Sequence, residues 1–234
     1  MFNKHTWYEL KRILLSVFFP NRCPFCNEII ESRKYYCDSC YRYLPFVFGE
    51  IKPPQFVSRF YACCYYCRRA RKAVHMLKFS GVIYPADAFA LMMSRKLGQA
   101  EADVLIPVPS GISSIRKRGF STADLLAKRI SIWLNIPIMN AVCAVRDKKE
   151  QKTLSAAARH SNAKKSFYLD GKLSVRGKRV ILIDDVSTTG STLSAIAELL
   201  HNAGAADVQA AVFAKTTDVS KNSRIIRRYS VIRK

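Results

Sequence analysis

The run Val180-Ile-Leu-Ile-Asp-Asp-Val-Ser-Thr-Thr-Gly-Ser-Thr192 puts two carboxylates after four apolar residues, then a loop rich in hydroxyls. Four apolar residues in a row read as a strand buried on both faces. Asp184 and Asp185 follow this strand at its carboxyl end. Val186, Ser187, Thr188, Thr189, Gly190, Ser191 and Thr192 then lead into a helix. Backbone N–H groups, hydroxyl donors and the positive end of a helix dipole together make a phosphate cradle. Gly190 is expected to let the backbone approach the anion with no Cβ in the way. Paired carboxylates beside a phosphate suit ribose, whose hydroxyls donate hydrogen bonds to them. A capped strand–turn–helix would need only one Ser or Thr. The sequence lacks Gly-x4-Gly-Lys-Ser/Thr, so the loop is not a P-loop. The strand could pass for the acidic strand that accompanies a P-loop, but there is none for it to serve.

Eight cysteines offer a second chemistry. Cys23-Pro-Phe-Cys26 and Cys37-Asp-Ser-Cys40 are two CxxC turns. Each turn aims two sulfurs the same way, and two turns complete a tetrahedral four-thiolate shell for zinc. Four thiolates leave no open position, so such a zinc would be structural. Two disulfides are the alternative, and a reducing compartment disfavours them. Lys34 and Arg42 lie close enough in sequence to offset the site's negative charge. Cys63, Cys64 and Cys67 have no clear fourth ligand and read as cysteines of a buried strand. Cys143, in Ala-Val-Cys-Ala-Val, reads as core.

These residues need elements to hold them. Trp7, Leu10, Leu14 and Phe18 recur at helical spacing over residues 5–19. Pro45, Pro53 and Pro54 mark a linker. A strand near 57–65 leads into an arginine-rich helix near 68–79, and Pro85 opens another helix, to about Gln99. Strands are expected at Val104–Val108, Ile138–Val145, Val180–Ile183 and Val208–Ala214. Helices are expected at Ser121–Leu134 and at Thr192–Ala203, the latter stopped by Gly204. Residues 147–165 are polar, with room for a short helix. Strand–helix–strand at this spacing argues a parallel sheet covered on both faces, with ligands at the strands' carboxyl ends.

The chain has 234 residues, 49% of them hydrophobic, which excludes a wholly disordered protein. Ile13–Phe19 is the best candidate apolar stretch and is too short to span a bilayer. It resembles a signal-peptide core, but no small-x-small cleavage site follows, so a cytoplasmic protein with no membrane span is expected. The net charge of +22 favours anionic partners, against the plainer reading of a merely basic surface. Residues 51–100 carry nine basic groups against one acidic.

The stretch from Val180 to Thr192 resembles the phosphoribosyl pyrophosphate (PRPP) motif of type I phosphoribosyltransferases. The wider chain resembles the ComF family. The matching pieces are the four-cysteine knuckle, Leu77-Lys-Phe-Ser-Gly81, Ile106-Pro-Val-Pro109, Arg116-Lys-Arg-Gly-Phe120, Gln151-Lys-Thr-Leu-Ser155 and the PRPP stretch, covering nearly the whole chain in order. The chain departs from the pattern at Ser187, where an aliphatic residue is usual. It also lacks a further cysteine pair, so one zinc is expected.

The resemblance implies an α/β fold: a parallel sheet flanked by helices, with a small zinc-finger module in front. The division expected is 1–50 for the N-terminal helix and finger, and 51–234 for the phosphoribosyltransferase-like domain. Asp184 and Asp185 would hold the ribose hydroxyls, with Mg2+ nearby. Ser187 to Thr192 would wrap the 5′-phosphate. Pro109, Ser110 and Gly111, after Val108, would form a pyrophosphate loop, with positive charge from Arg116, Lys117 and Arg118. Read alone, Pro109–Gly111 is equally an ordinary turn. Gln151, Lys152, Ser155 and Arg159 would belong to a hood over the site.

Two functions follow as expectations. One is a role in DNA uptake during natural transformation, with a PRPP or nucleotide-phosphate site, single-stranded DNA as partner and a helicase-like companion. Arg68, Arg69, Arg71 and Lys72, with Tyr61, Tyr65 and Tyr66, are the candidate DNA contacts. A buried strand followed by an ordinary amphipathic helix explains them as well. The alternative function is an active phosphoribosyltransferase, moving ribose 5-phosphate from PRPP to a base.

Overall fold

Four apolar runs lie side by side as one parallel sheet. The computed structural model describes residues 4–98, 100–145 and 166–216. The sheet order is β1 (Phe60–Tyr65), β6 (Asp207–Lys215), β5 (Arg179–Ser187) and β2 (Val104–Pro107), with β6 and β5 central. Alternation along the central strands builds two cores. Ile181, Ile183, Ala211 and Phe213 enter one, with α3 (Arg68–Phe79), α4 (Pro85–Leu97) and α6 (Thr122–Leu134). Val180, Leu182, Ala210 and Val212 enter the other, covered by α7 (Ser191–Asn202). Both faces are therefore covered, which is why these strands are apolar throughout.

The first core also takes in the N-terminal module. The Phe25 ring packs against Phe89 and Phe213, and those two rings stack 3.6 Å apart. Cys23, Cys40 and Leu44 are buried in the same cluster. Helix α1 (Lys4–Leu15) lies on α6, and α2 (Asp38–Arg42) carries the second CxxC turn. At the amino end of the sheet, Arg179 of β5 pairs with Glu101 and Asp103 and pulls the Asp103 carboxyl down to about 2. The chemistry-bearing residues sit at the other end.

Several expectations are corrected. The stretch 138–145 is not one strand. Ile138 bridges Leu105 in parallel, while β3 (Val142–Ala144) turns away to pair antiparallel with β4 (Phe167–Leu169). Cys143 is accordingly half-buried on this ribbon, not core. Cys63 and Cys64 are buried on β1, but Cys67 has left the strand and caps α3. The first helix stops at Leu15, four residues early. Strand β5 does not end at Ile183 but runs through both aspartates to Ser187, because Asp184, Val186 and Ser187 all keep their register with β6. The hood residues Gln151, Lys152, Ser155 and Arg159 lie outside the described residues.

Candidate functional site

The first site is the carboxyl corner of β5. The Val108 N–H donates to the Ile183 carbonyl at 2.9 Å, which lays the loop after β2 beside the aspartates. Pro109, Ser110 and Gly111 pass from there into α5 (Ile112–Arg118). The Ser110 hydroxyl lies 3.2 Å from that of Ser121, the residue whose Oγ caps α6. Two segments expected to meet the pyrophosphate and ribose thus sit next to each other. Arg116 and Lys117 are exposed. Arg118 is half-buried, and its Nε has no hydrogen-bond partner among the described residues.

The two aspartates differ. Asp185 is 3% exposed and already held. Lys78 Nζ of α3 stands 2.7 Å from its Oδ1, and Thr122 Oγ1 of α6 donates to its Oδ2 at 2.6 Å. A charge this deep persists only with such partners. Asp184 forms no ion pair among the described residues, though the Lys78 charge partly favours its ionised form, and its Oδ1 accepts the Asp185 N–H, at 2.8 Å. Burial and the neighbouring Asp185 charge push its carboxyl up, to about 8. Donated hydrogen bonds or a cation would favour its charged form.

The following loop opens α7. Thr188 and Thr189 are exposed. Thr189 Oγ1 donates to Ser191 Oγ at 3.0 Å and accepts from the Ser191 N–H. Ser187 is buried, and its Oγ is an orphan among the described residues. A buried hydroxyl without a partner is costly, and an anion's oxygen would satisfy it. Gly190 has φ +79, a left-handed conformation that glycine adopts without strain. A Cβ there would meet Pro54, whose Cγ would lie only 2.8 Å away. Pro54, read as part of a linker, is thus packed against the loop. Sequence reasoning also gave Lys78 and Thr122 no role. Lys78 lies inside Leu77–Gly81, but nothing local shows that it reaches residue 185.

The second site is the knuckle. The Sγ atoms of Cys23, Cys26, Cys37 and Cys40 all lie within 4.8 Å of one another. The Cys37 N–H donates to Cys23 Sγ at 3.5 Å and the Cys40 N–H to Cys37 Sγ at 3.3 Å, as thiolate ligands require. Burial pushes the Cys26 thiol up, to about 11, and raises that of Cys40 as well. Sulfurs so crowded ionise together only around a cation, so this donor set fits structural zinc. The compensating charge differs from expectation. Lys34 is taken by Glu31 and Asp38. Arg69 Nη1 instead donates to Cys40 Sγ at 3.4 Å, which removes Arg69 from the free basic face of α3.

Comparison with known proteins matches two parts of the chain. The profile described as phosphoribosyl transferase domain matches residues 94–232, and that described as double zinc ribbon domain matches residues 14–51. The chain belongs to the phosphoribosyl transferase domain family, in the ComF-like form with an N-terminal zinc ribbon. It is 32% identical over 200 residues to the DNA utilization protein YhgH of Escherichia coli K12, covering 80% of this chain and 87% of that protein. Competence protein F of Haemophilus influenzae is 41% identical over 109 residues, 46% of this chain and 48% of that protein. Among solved structures, a purine phosphoribosyltransferase from Pyrococcus horikoshii matches 55% of this chain and 71% of its own, at 26% identity and a TM-score of 0.35.

Proposed function

We propose that the carboxyl corner of β5 binds a 5-phosphoribosyl group, as PRPP or a nucleotide phosphate, in a protein that handles single-stranded DNA. The observation that carries the first part is the orphan Ser187 hydroxyl beside the exposed Thr188–Thr189 loop at the start of α7. Asp184 is the ribose contact, since no described cation holds its carboxylate. Asp185 positions the corner through Lys78 and Thr122. Pro109–Gly111 and Arg118 meet the pyrophosphate. One such carboxylate is too few for an all-protein Mg2+ cage, but it suits an ion carried in with the pyrophosphate and its waters. Calorimetric titration with PRPP and Mg2+ tests this. Asp184→Asn should weaken binding at least tenfold without unfolding the protein. Equal affinity would mean the ribose lies elsewhere.

The DNA part draws on the relatives' names, DNA utilization and competence proteins, and on α3. Arg68, Lys72, His75 and Phe79 recur at i, i+4, i+7 and i+11 and are all exposed, with Arg71 beside them. Phe79 is 68% exposed and its ring lies 4.5 Å from that of His75. A cationic stripe ending in an uncovered ring suits phosphates and a stacked base. Lys78, next to that ring, reaches Asp185, so the stripe runs toward the phosphoribosyl corner. Replacing Arg68, Arg71 and Lys72 by Gln, with Arg69 kept, should lower affinity for a labelled oligonucleotide. The slope of log K against log salt should shrink by about 0.7 for each phosphate no longer neutralised. An unchanged slope would exclude α3 as the DNA surface.

The family profile also favours turnover, the transfer of ribose 5-phosphate from PRPP to a base. Release of pyrophosphate from labelled PRPP across a panel of bases tests that reading separately.

A further inference from the structure

Helix α1 is seated by its polar side. The His5 ring lies 4.1 Å from that of Trp133 on α6. Tyr8 donates to Asp87, and Glu9 accepts from Tyr35. The Arg12 guanidinium lies 3.9 Å from the centre of the Tyr35 ring and donates to the Lys34 carbonyl. The apolar side points outward. Trp7 is 64% exposed, Leu14 61%, Val17 77% and Phe18 80%, and Leu10, Leu15 and Phe19 are exposed with them. A helix that merely completes a globular core has these sides reversed.

We propose that this outer face docks on the surface of an anionic bilayer, with the helix lying in the plane of the headgroups. Apolar area is the first reason. Seven large apolar side chains between Trp7 and Phe19 remain uncovered, far more than scattered surface residues require. The second reason is charge. Lys4 and Lys11 are exposed beside the stripe, and Glu9, the one carboxylate of the helix, is turned inward onto Tyr35 and Arg12. A stripe flanked by cations, with no acid facing out, complements acidic lipid. A second copy of this chain would set +22 against +22 and is disfavoured as the occupant. The third reason is length. Twelve helical residues reach about 18 Å, too short to cross a bilayer, and Pro20 closes the segment. The helix therefore rests on the surface while the body it carries stays in water.

The test uses the full zinc-loaded chain and vesicles of phosphatidylcholine with or without phosphatidylglycerol. The protein should cosediment with the mixed vesicles and hardly at all with phosphatidylcholine alone. In a Trp133→Phe background, Trp7 emission should shift to the blue on binding. Leu14→Ser with Phe18→Ser should lower partitioning at least tenfold and leave the thermal midpoint unchanged, because both residues are exposed. Lys4→Gln and Lys11→Gln should each cost about fivefold. If the Leu14→Ser, Phe18→Ser protein binds mixed vesicles like wild type, the basic surface alone is responsible and the proposal falls. It falls too if wild type ignores both vesicles, or if it forms a dimer or captures an acidic protein that the double variant loses.

Discussion

All four sulfurs of the knuckle come from one run, Cys23 to Cys40, whereas the corner of β5 draws on Pro54, Lys78, Ser110, Thr122 and Gly190. The knuckle's ligand geometry is written in two local turns, and among the described residues outside that run only Arg69 donates to one of its sulfurs. The corner exists only after three helices and two strands have packed. A locally coded site fails completely when one ligand is lost. A site assembled from distant segments fails by degrees, according to which support is removed.

The largest effect expected from this contrast is at the knuckle. Cys37→Ser should take zinc from about one per chain to none, since structural zinc supplies on the order of 10–16 kcal/mol in isolated fingers. Cys64→Ser should keep the metal, because Cys64 lies on β1 with its S–H toward the Phe213 carbonyl. Elemental analysis decides. Zinc retained in the Cys37→Ser protein would show the knuckle is not the metal site.

Next comes the buried support of the corner. Asp185→Asn removes the charge that Lys78 and Thr122 bind, at a cost of about 1.5–3 kcal/mol. Chemical denaturation should show this loss, while Asp184→Asn at neutral pH should show none. Similar losses in both variants would contradict the division of labour between the two aspartates.

Gly190→Ala should cost about 1–2 kcal/mol from the left-handed backbone alone, and more from its clash with Pro54. Pro54→Ala in the same chain should recover part of the loss, and a double-mutant cycle with no coupling would separate the two segments.

The remaining effect is graded with pH. The Asp184 carboxyl is raised from 3.8 to about 8 in the folded protein. The native state therefore keeps a proton that the unfolded chain gives up, and stability falls as pH rises from about 4 to about 8. Below that window the acid is neutral in both states and costs nothing. Asp184→Asn, which cannot ionise, should melt at the wild-type temperature near pH 4 and progressively above it as pH rises to about 8. A difference that shrinks with rising pH would reverse the sign and place the Asp184 charge in a favourable environment.

The sequence by itself determined whatever neighbouring residues enforce. The two CxxC turns, the apolar strands and the hydroxyl loop leading into α7 were legible because spacing of two, three or four residues fixes which side chains share a face. The structure alone decided which distant groups complete each site. Lys78 and Lys72 look alike along α3, yet one reaches Asp185 and the other stays in water. Arg69 and Arg71 differ in the same way, since Arg69 meets Cys40. The periodicity of α1 announced an amphipathic helix, but packing against α6 turned its polar side inward. Periodicity reports that a helix has two faces, and only the partners available in the folded chain select which face is covered.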